Sequence, residues 1–270
     1  RSEKWRGFPN DVLPLPVAEM DFPVAQPIRD LLTEMVAKSD LGYLGAIPEL
    51  GKGFAHFAGT RWGWEVDPLQ VRAATDVGVA VVEILRVFTN PGDSILLSSP
   101  VYHNFYNWVN ETKLNLVDVP FERTGDESAN PWEINWDGIE KAYASGLKVH
   151  ILCSPHNPLG RIYSKEELLR IVALAKRYDV LVISDEIHAP LTYKEHTFVP
   201  MLSLGSDAES VSQMFFGYAG MQVNGVEILG FRSTSSAATV VVRASIYNAL
   251  PVESVQALID AMQYFEKQHA

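Results

Sequence analysis

Apolar positions recur at helical spacing over residues 27–38 and again over 48–60, after a proline-spaced opening with Pro9, Pro14, Pro16 and Pro23. That opening, residues 1–30, reads as an arm lying on the body of the protein or on a partner. From residue 70 the period changes. Residues 70–75 read as a short strand and 79–89 as an apolar helix ended by Pro91-Gly92-Asp93, and the unit then repeats. Residues 94–99, 114–119, 149–153 and 180–183 are strand-like, with helical stretches at 103–110 and 136–145 between them. Ser164 and Glu167 stand at capping-box spacing and open a further helix that runs to Tyr178.

Strands alternating with helices, several of them apolar throughout, predict an α/β fold: a mostly parallel sheet covered by helices on both faces. After Pro200 the rhythm weakens. A strand at 240–247 and a helix at 252–267 suit a smaller α+β domain, which places the main domain at residues 31–215 and the second at 216–270.

Charge and composition then remove whole classes of function. The 270 residues carry 22 basic against 33 acidic side chains, a net charge of −11 that argues against a surface for nucleic-acid phosphates. The 47% apolar content is that of an ordinary globular chain. Cys153 is the single cysteine, so no intrachain disulfide can form, and a reducing, cytoplasmic setting is the simplest expectation. No run approaches the roughly 20 apolar residues that cross a bilayer, so no membrane partner is expected. The first residues lack the apolar stretch of a signal peptide, and the start without Met fits removal of a short segment.

In an open parallel sheet, ligands bind beyond the carboxyl ends of the strands, so the residues following each strand carry the chemistry. Asp76-Val77-Gly78-Val79 stands at a helix start, where backbone N–H groups and the helix dipole can hold a phosphate; its ordinary structural reading is an Asp cap with a turn glycine. Pro100-Val101-Tyr102-His103 brings an aromatic ring over the same crevice, or only into rim packing. Ser154-Pro155-His156-Asn157-Pro158-Leu159-Gly160 is a stiff turn that fixes the amide of Asn157. Ser184-Asp185-Glu186-Ile187-His188 ends a strand in a carboxylate, with a histidine three residues on. Cys153, His156 and His188 lack the dense spacing of a metal site, and no metal is expected.

Phosphate loop, aromatic, fixed amide and strand-end carboxylate, in this order, are far more specific than any one alone. With Pro16-Val17-Ala18-Glu19-Met20-Asp21-Phe22 and Ala189-Pro190, they give residues 13–204 a resemblance to fold-type-I pyridoxal-phosphate (PLP) enzymes. The type resembled is the aminotransferase-like carbon–sulfur β-lyase, the cystathionine β-lyases of the MalY and PatB kind. The resemblance implies a PLP-binding large domain, an amino-acid substrate, and a homodimer whose sites are shared. It implies that Asp185 keeps the pyridine nitrogen protonated, that Asn157 donates to the phenolic oxygen, and that Tyr102 stacks on the ring. Gly78 and Val79 would give N–H groups to the phosphate, Tyr43 would reach a phosphate across the dimer interface, and His188 would line the pocket.

The departures are as informative. Such enzymes hold PLP through a lysine that also moves protons, in a Ser-x-Ser-Lys-like stretch one strand after the aspartate. Beyond Asp185 the only lysines are Lys194 and Lys267. Lys194 reads as part of a surface hairpin and is the one candidate replacement. The chain is also shorter than the family between about residues 210 and 230, where Gln213-Met214-Phe215-Phe216-Gly217-Tyr218 stands. Ser154 replaces the usual Asn, and the family's His-Arg pair appears only as Phe231-Arg232. Val242-Arg243-Ala244-Ser245-Ile246-Tyr247-Asn248-Ala249-Leu250-Pro251 resembles instead the end of phosphoserine aminotransferase, which implies that Arg243 grips a substrate carboxylate. The expectations are therefore a PLP-dependent β-lyase or a degenerate relative without the lysine, an aminotransferase, or a non-catalytic module binding PLP or an amino acid; or the chain is an incomplete or mosaic form.

Overall fold

The computed structural model describes residues 5–13, 23–42, 48–74, 76–124, 131–217, 226–232 and 238–244, with side chains as far as residue 212. Two helices, α1 (Gln26–Lys38) and α2 (Pro48–Trp62), precede a short strand, β1 (Val71–Arg72). Alternation then sets in with α3 (Val77–Phe88), β2 (Ser94–Leu97), α4 (Asn104–Glu111) and β3 (Asn115–Asp118). A two-stranded ribbon, β4 (Glu122–Arg123) with β5 (Trp132–Glu133), leads into α5 (Trp136–Ala144), β6 (Val149–Cys153), α6 (Lys165–Tyr178) and β7 (Leu181–Asp185). The last described elements are α7 (Ser206–Val211), β8 (Ser212–Gly217), β9 (Val226–Arg232) and β10 (Ala238–Ala244).

Eight strands form one sheet in the order β3-β2-β6-β7-β8-β9-β10-β1. The pairings from β3 through to β8 are parallel; β9 runs antiparallel to β8 and β10, and β10 is parallel to β1. The α/β class expected from the sequence is the fold observed. β9 and β10 come from the stretch assigned on sequence to the smaller domain, and they hydrogen-bond into this sheet. The helix expected at 252–267 lies outside the described residues.

The unbroken apolar runs follow from burial on both faces. Leu96, Leu152 and Val182 point to one side, where Phe54 of α2, Tyr143 of α5 and Ile171 of α6 cover them. Ile95, Leu97, Ile151, Cys153 and Ile183 point to the other, under Val81, Ile84 and Leu85 of α3 and Phe105 and Val109 of α4. Each such fully buried aliphatic side chain contributes about 1.5–3 kcal/mol, so a strand with two covered faces is apolar nearly throughout; the buried His150 of β6 is met by the Tyr143 hydroxyl, 2.8 Å from its Nδ1. Asp185 shares the parity of Cys153 and Ile183 and therefore the α3/α4 face.

Local chemistry starts and stops the helices that frame the site. The Asp76 side chain caps α3 by accepting from the Val79 N–H at 3.1 Å, so the helix begins at Val77, two residues before the periodicity predicts. Ser164 and Glu167 form the expected capping box on α6, with both reciprocal bonds present. Glu166 and Glu167 at its start and Lys176 and Arg177 at its end also complement the helix dipole. Asp179 then takes the left-handed conformation, φ 56°, and turns the chain into β7.

Candidate functional site

At the carboxyl edge of the sheet, β6 and β7 end side by side, with Cys153 registered against Asp185. Asp185 is 4% exposed, and its Oδ1 accepts the Ile187 N–H at 3.2 Å, which aims the carboxylate along the strand end. The Ser154 N–H donates to the Asp185 carbonyl at 2.8 Å and carries the pairing one step into the turn that follows β6. That turn is closed by two backbone bonds, His156 N–H to Arg161 O at 2.7 Å and Gly160 N–H to His156 O at 2.8 Å. Asn157 sits at its tip, half-buried, with its own N–H on the sulfur of Cys153 at 3.3 Å. Cys153 is thus wedged between the two. Burial, and then the Asp185 charge, pushes its thiol well above the usual range, so it is inert packing and not a nucleophile.

Tyr102, in the loop after β2, is half-buried and held from several sides. Its ring meets Phe105 and Trp108 edge-on at 6.0 and 6.5 Å, and its hydroxyl accepts from Asn104 Nδ2 at 2.6 Å. Trp108 in turn reaches the first turn of α3, where a Cβ on Gly78 would fall 2.8 Å from its Nε1 and 3.0 Å from Asp76 Oδ1. At Gly78 the first turn of α3 therefore has room for backbone only. Its Gly78 N–H has no acceptor among the described residues, whereas the Val79 N–H is taken up by the Asp76 cap. Of the two structures read from the sequence at this helix start, the Asp76 cap is the one observed.

The remaining expected residues fall as follows. His188 lies three residues past Asp185 at the start of a 3-10 turn, partly buried, and burial lowers its pKa and favours the neutral ring. Lys194 lies further along the same connection on an exposed stretch. Strand register carries Asp185 to Phe215, then Gly217 to Glu227 and Glu227 to Arg243, so the backbone of Arg243 stands at the same carboxyl edge as Asp185. Tyr43 lies outside the described residues. Among the described residues no three His, Cys, Asp or Glu side chains form a group that could hold a metal ion.

Two participants escaped the sequence reading. Glu186 is fully buried beside Asp185, its Oε1 accepting from Ser184 Oγ at 2.8 Å and from the Met201 N–H at 2.9 Å. Burial, then the neighbouring Asp185, raises its pKa far above the carboxylate range, so it is a neutral acid that ties residue 201 to the strand end. The other is His156. Its side chain spans from the turn after β6 to the loop after β2, with Nε2 2.8 Å from the Pro100 carbonyl. Neither role has a periodicity or spacing signature, because each depends on contacts with residues distant in the chain.

Residues 11–220 match the family described as aminotransferase class I and II. The chain belongs to that family. Cystathionine β-lyase PatB of Bacillus subtilis (strain 168) is 31% identical over 225 residues, covering 81% of this chain and 57% of that protein. Cystathionine β-lyase of Corynebacterium glutamicum is 34% identical over 196 residues, 72% of this chain and 50% of that one. The chain spans about half the length of the curated relatives it matches. Among solved structures, the PLP-bound C–S lyase from Staphylococcus hominis superposes with a TM-score of 0.79 at 20% identity, over 99% of this chain and 70% of that one. Cystalysin from Treponema denticola gives 0.74 at 22% identity, over 97% and 64%. These two establish the fold, a mostly parallel sheet covered by helices.

Proposed function

We propose that this chain binds PLP and forms the cofactor-binding part of a carbon–sulfur β-lyase of the cystathionine β-lyase kind, acting on a small amino acid. The observation that supports the reading is that Asp185, the turn of Asn157, the loop of Tyr102 and the first turn of α3 all lie at the carboxyl ends of strands in one sheet or just beyond them. The cystathionine β-lyases of B. subtilis and C. glutamicum support the lyase label over the aminotransferase one. The residues fit the group. A buried carboxylate suits a protonated ring nitrogen, and a first turn too crowded at Gly78 for any side chain leaves its N–H to a phosphate.

PLP supplies an electron sink for the pair left at a substrate α-carbon when its proton departs. Asp185 would hold the proton at the ring nitrogen, Asn157 would donate its side-chain amide to the phenolic oxygen, and Tyr102 would cover one ring face. Gly78, and Val79 once the Asp76 cap gives way, would present N–H groups to the phosphate, while His188 lines the pocket. In this reading residues 31–215 hold the cofactor, and 216–270 bring Arg243 to the substrate carboxylate. The arm 1–30 and Tyr43 belong to a homodimer interface, in a cytoplasmic protein.

One observation favours a second reading, a module that holds PLP or its amino-acid adduct without turnover: no lysine occurs between Lys194 and Lys267. The test is incubation with PLP, borohydride reduction and peptide mapping, run beside an assay of cystathionine cleavage. Thiol release with an adduct on Lys194 establishes the lyase with a displaced lysine. PLP binding with neither adduct nor turnover establishes the module, and no PLP binding refutes both.

A further inference from the structure

We infer that His156 is a positioning residue: its imidazole fixes the loop that carries Tyr102 relative to the turn that carries Asn157, so that both sides of the cofactor crevice are set before any ligand arrives. The inference rests on the cofactor reading above and assigns a role to a side chain that the reading leaves unused.

The geometry is that of a strut. His156 is 2% exposed, and its backbone is already committed within its own turn, to Arg161 on one side and Gly160 on the other. Its side chain therefore reports on something else. Nε2 lies 2.8 Å from the carbonyl of Pro100, two residues before Tyr102. A carbonyl can only accept, so Nε2 carries the proton where this bond is made, and the Tyr163 hydroxyl stands 3.4 Å from Nδ1. Burial lowers the pKa of His156, against backbone hydrogen bonds to Pro100 and Cys153 that raise it, and so favours the neutral ring.

The loop end is gripped twice. The Phe121 N–H donates to Ser99 O at 2.9 Å, while the Phe121 ring meets the imidazole edge-on at 4.7 Å. The Ser99 carbonyl is thus held from the β3 side and the Pro100 carbonyl from the turn after β6, and it is the imidazole's hydrogen bond that reaches across to that turn. Tyr102 and Asn157 are the next side chains outward on either side of it. Without the Nε2–H the two loops retain their own internal bonds but lose the bond that sets their separation.

The experiment compares the chain with His156→Phe, His156→Gln and Tyr163→Phe. Phe keeps a ring against Phe121 and removes both polar contacts; Gln restores a donor at the reach of Nε2; the Tyr163 change removes only the Nδ1 contact. Each is titrated with PLP, followed by the visible circular dichroism that a fixed ring acquires, and each is examined without PLP by hydrogen exchange of residues 101–106. The expected result is a folded His156→Phe variant with faster exchange in that segment, a PLP Kd raised by about fivefold, the factor one net hydrogen bond carries, and weakened dichroism. His156→Gln recovers most of the dichroism, and Tyr163→Phe stays within about twofold of the parent chain. Unchanged exchange and dichroism in His156→Phe overturn the inference. Should His156→Phe fail to fold, Gln decides alone: parental exchange and dichroism support the strut, and their loss despite a folded chain overturns it. If the parent chain binds no PLP, the cofactor reading fails, and the exchange data alone decide whether His156 braces the loops.

Discussion

Replacing Gly78 by alanine tests the crowding at the start of α3, because two well-known effects oppose each other there. On an open helix surface the change stabilises, since glycine in a helix interior is about 0.5–1 kcal/mol worse than alanine. At Gly78 the new Cβ would lie 2.8 Å from Trp108 Nε1, 3.1 Å from Trp108 Cε2 and 3.0 Å from Asp76 Oδ1, closer than carbon tolerates. Trp108 cannot yield cheaply: its ring lies 5.0 Å from that of the buried Phe105 and 6.5 Å from that of Tyr102. Overpacking of this kind costs about 1–3 kcal/mol, so the sign reverses and a net loss of about 1–2 kcal/mol is expected. Equilibrium urea unfolding followed by far-ultraviolet dichroism measures it. A double-mutant cycle with Trp108→Leu should show coupling of about 1 kcal/mol or more, since removing the indole removes the obstacle. Because Trp108 also supports Tyr102, any PLP dichroism should weaken in the single variant. A Gly78→Ala chain as stable as the parent, or more so, would refute the close contact.

Substitutions at three further positions probe the frame of the site. Glu186 holds a proton when folded that it loses near pH 4.5 when unfolded, so its contribution is fully present below about pH 4.5 and is lost as pH rises toward its raised folded pKa. The advantage of Glu186→Gln over the parent chain should therefore grow from about pH 5 upward, by at most about 1.4 kcal/mol per pH unit, and a gap constant with pH in denaturant titrations would count against a neutral acid. Burial, and then His156, lowers the His150 pKa to about 3, so Tyr143→Phe strips a neutral buried ring of the hydroxyl 2.8 Å from its Nδ1 and should lower stability by about 1–3 kcal/mol. Ser164→Ala should cost about 1 kcal/mol and Ser164→Asp much less, read from the same unfolding curves, because only the former removes the oxygen that caps α6.

The sheet was readable in the sequence where burial on both faces forces it. Residues 149–153 and 180–183 read as covered strands once helices flank them, the second observed at Leu181–Asp185, and the Ser164 capping box marks the start of α6 to the residue. Where pairing alone decides, the reading fell short. β1 keeps only Val71 and Arg72 because only these two residues register with β10. The ribbon of β4 and β5 and the short α7 are too brief to show any period. The positions of the candidate residues were readable, since Tyr102 and Asn157 follow strands and Asp185 ends one, and a parallel sheet gathers such residues at one edge. His156, Trp108 and the neutral state of Glu186 were not, because each is defined by a partner far away in the chain: Pro100, Gly78 and Met201.

The place of β1 at the edge of the sheet bears on the order in which this molecule can be assembled. Val71 finds its parallel partner in Val240, so the strand that leads into α3 waits for a segment synthesised near the far end of the described chain. The core from β2 to β7 needs no such delay, since its neighbours follow one another within residues 94–185. Contacts of such long sequence separation are the slow ones in folding. A growing polypeptide would therefore carry a finished aspartate edge while β1, just ahead of the first turn of α3, stayed unpaired. On the ribosome, the pairing of β1 would be among the last events, timed by the emergence of β10.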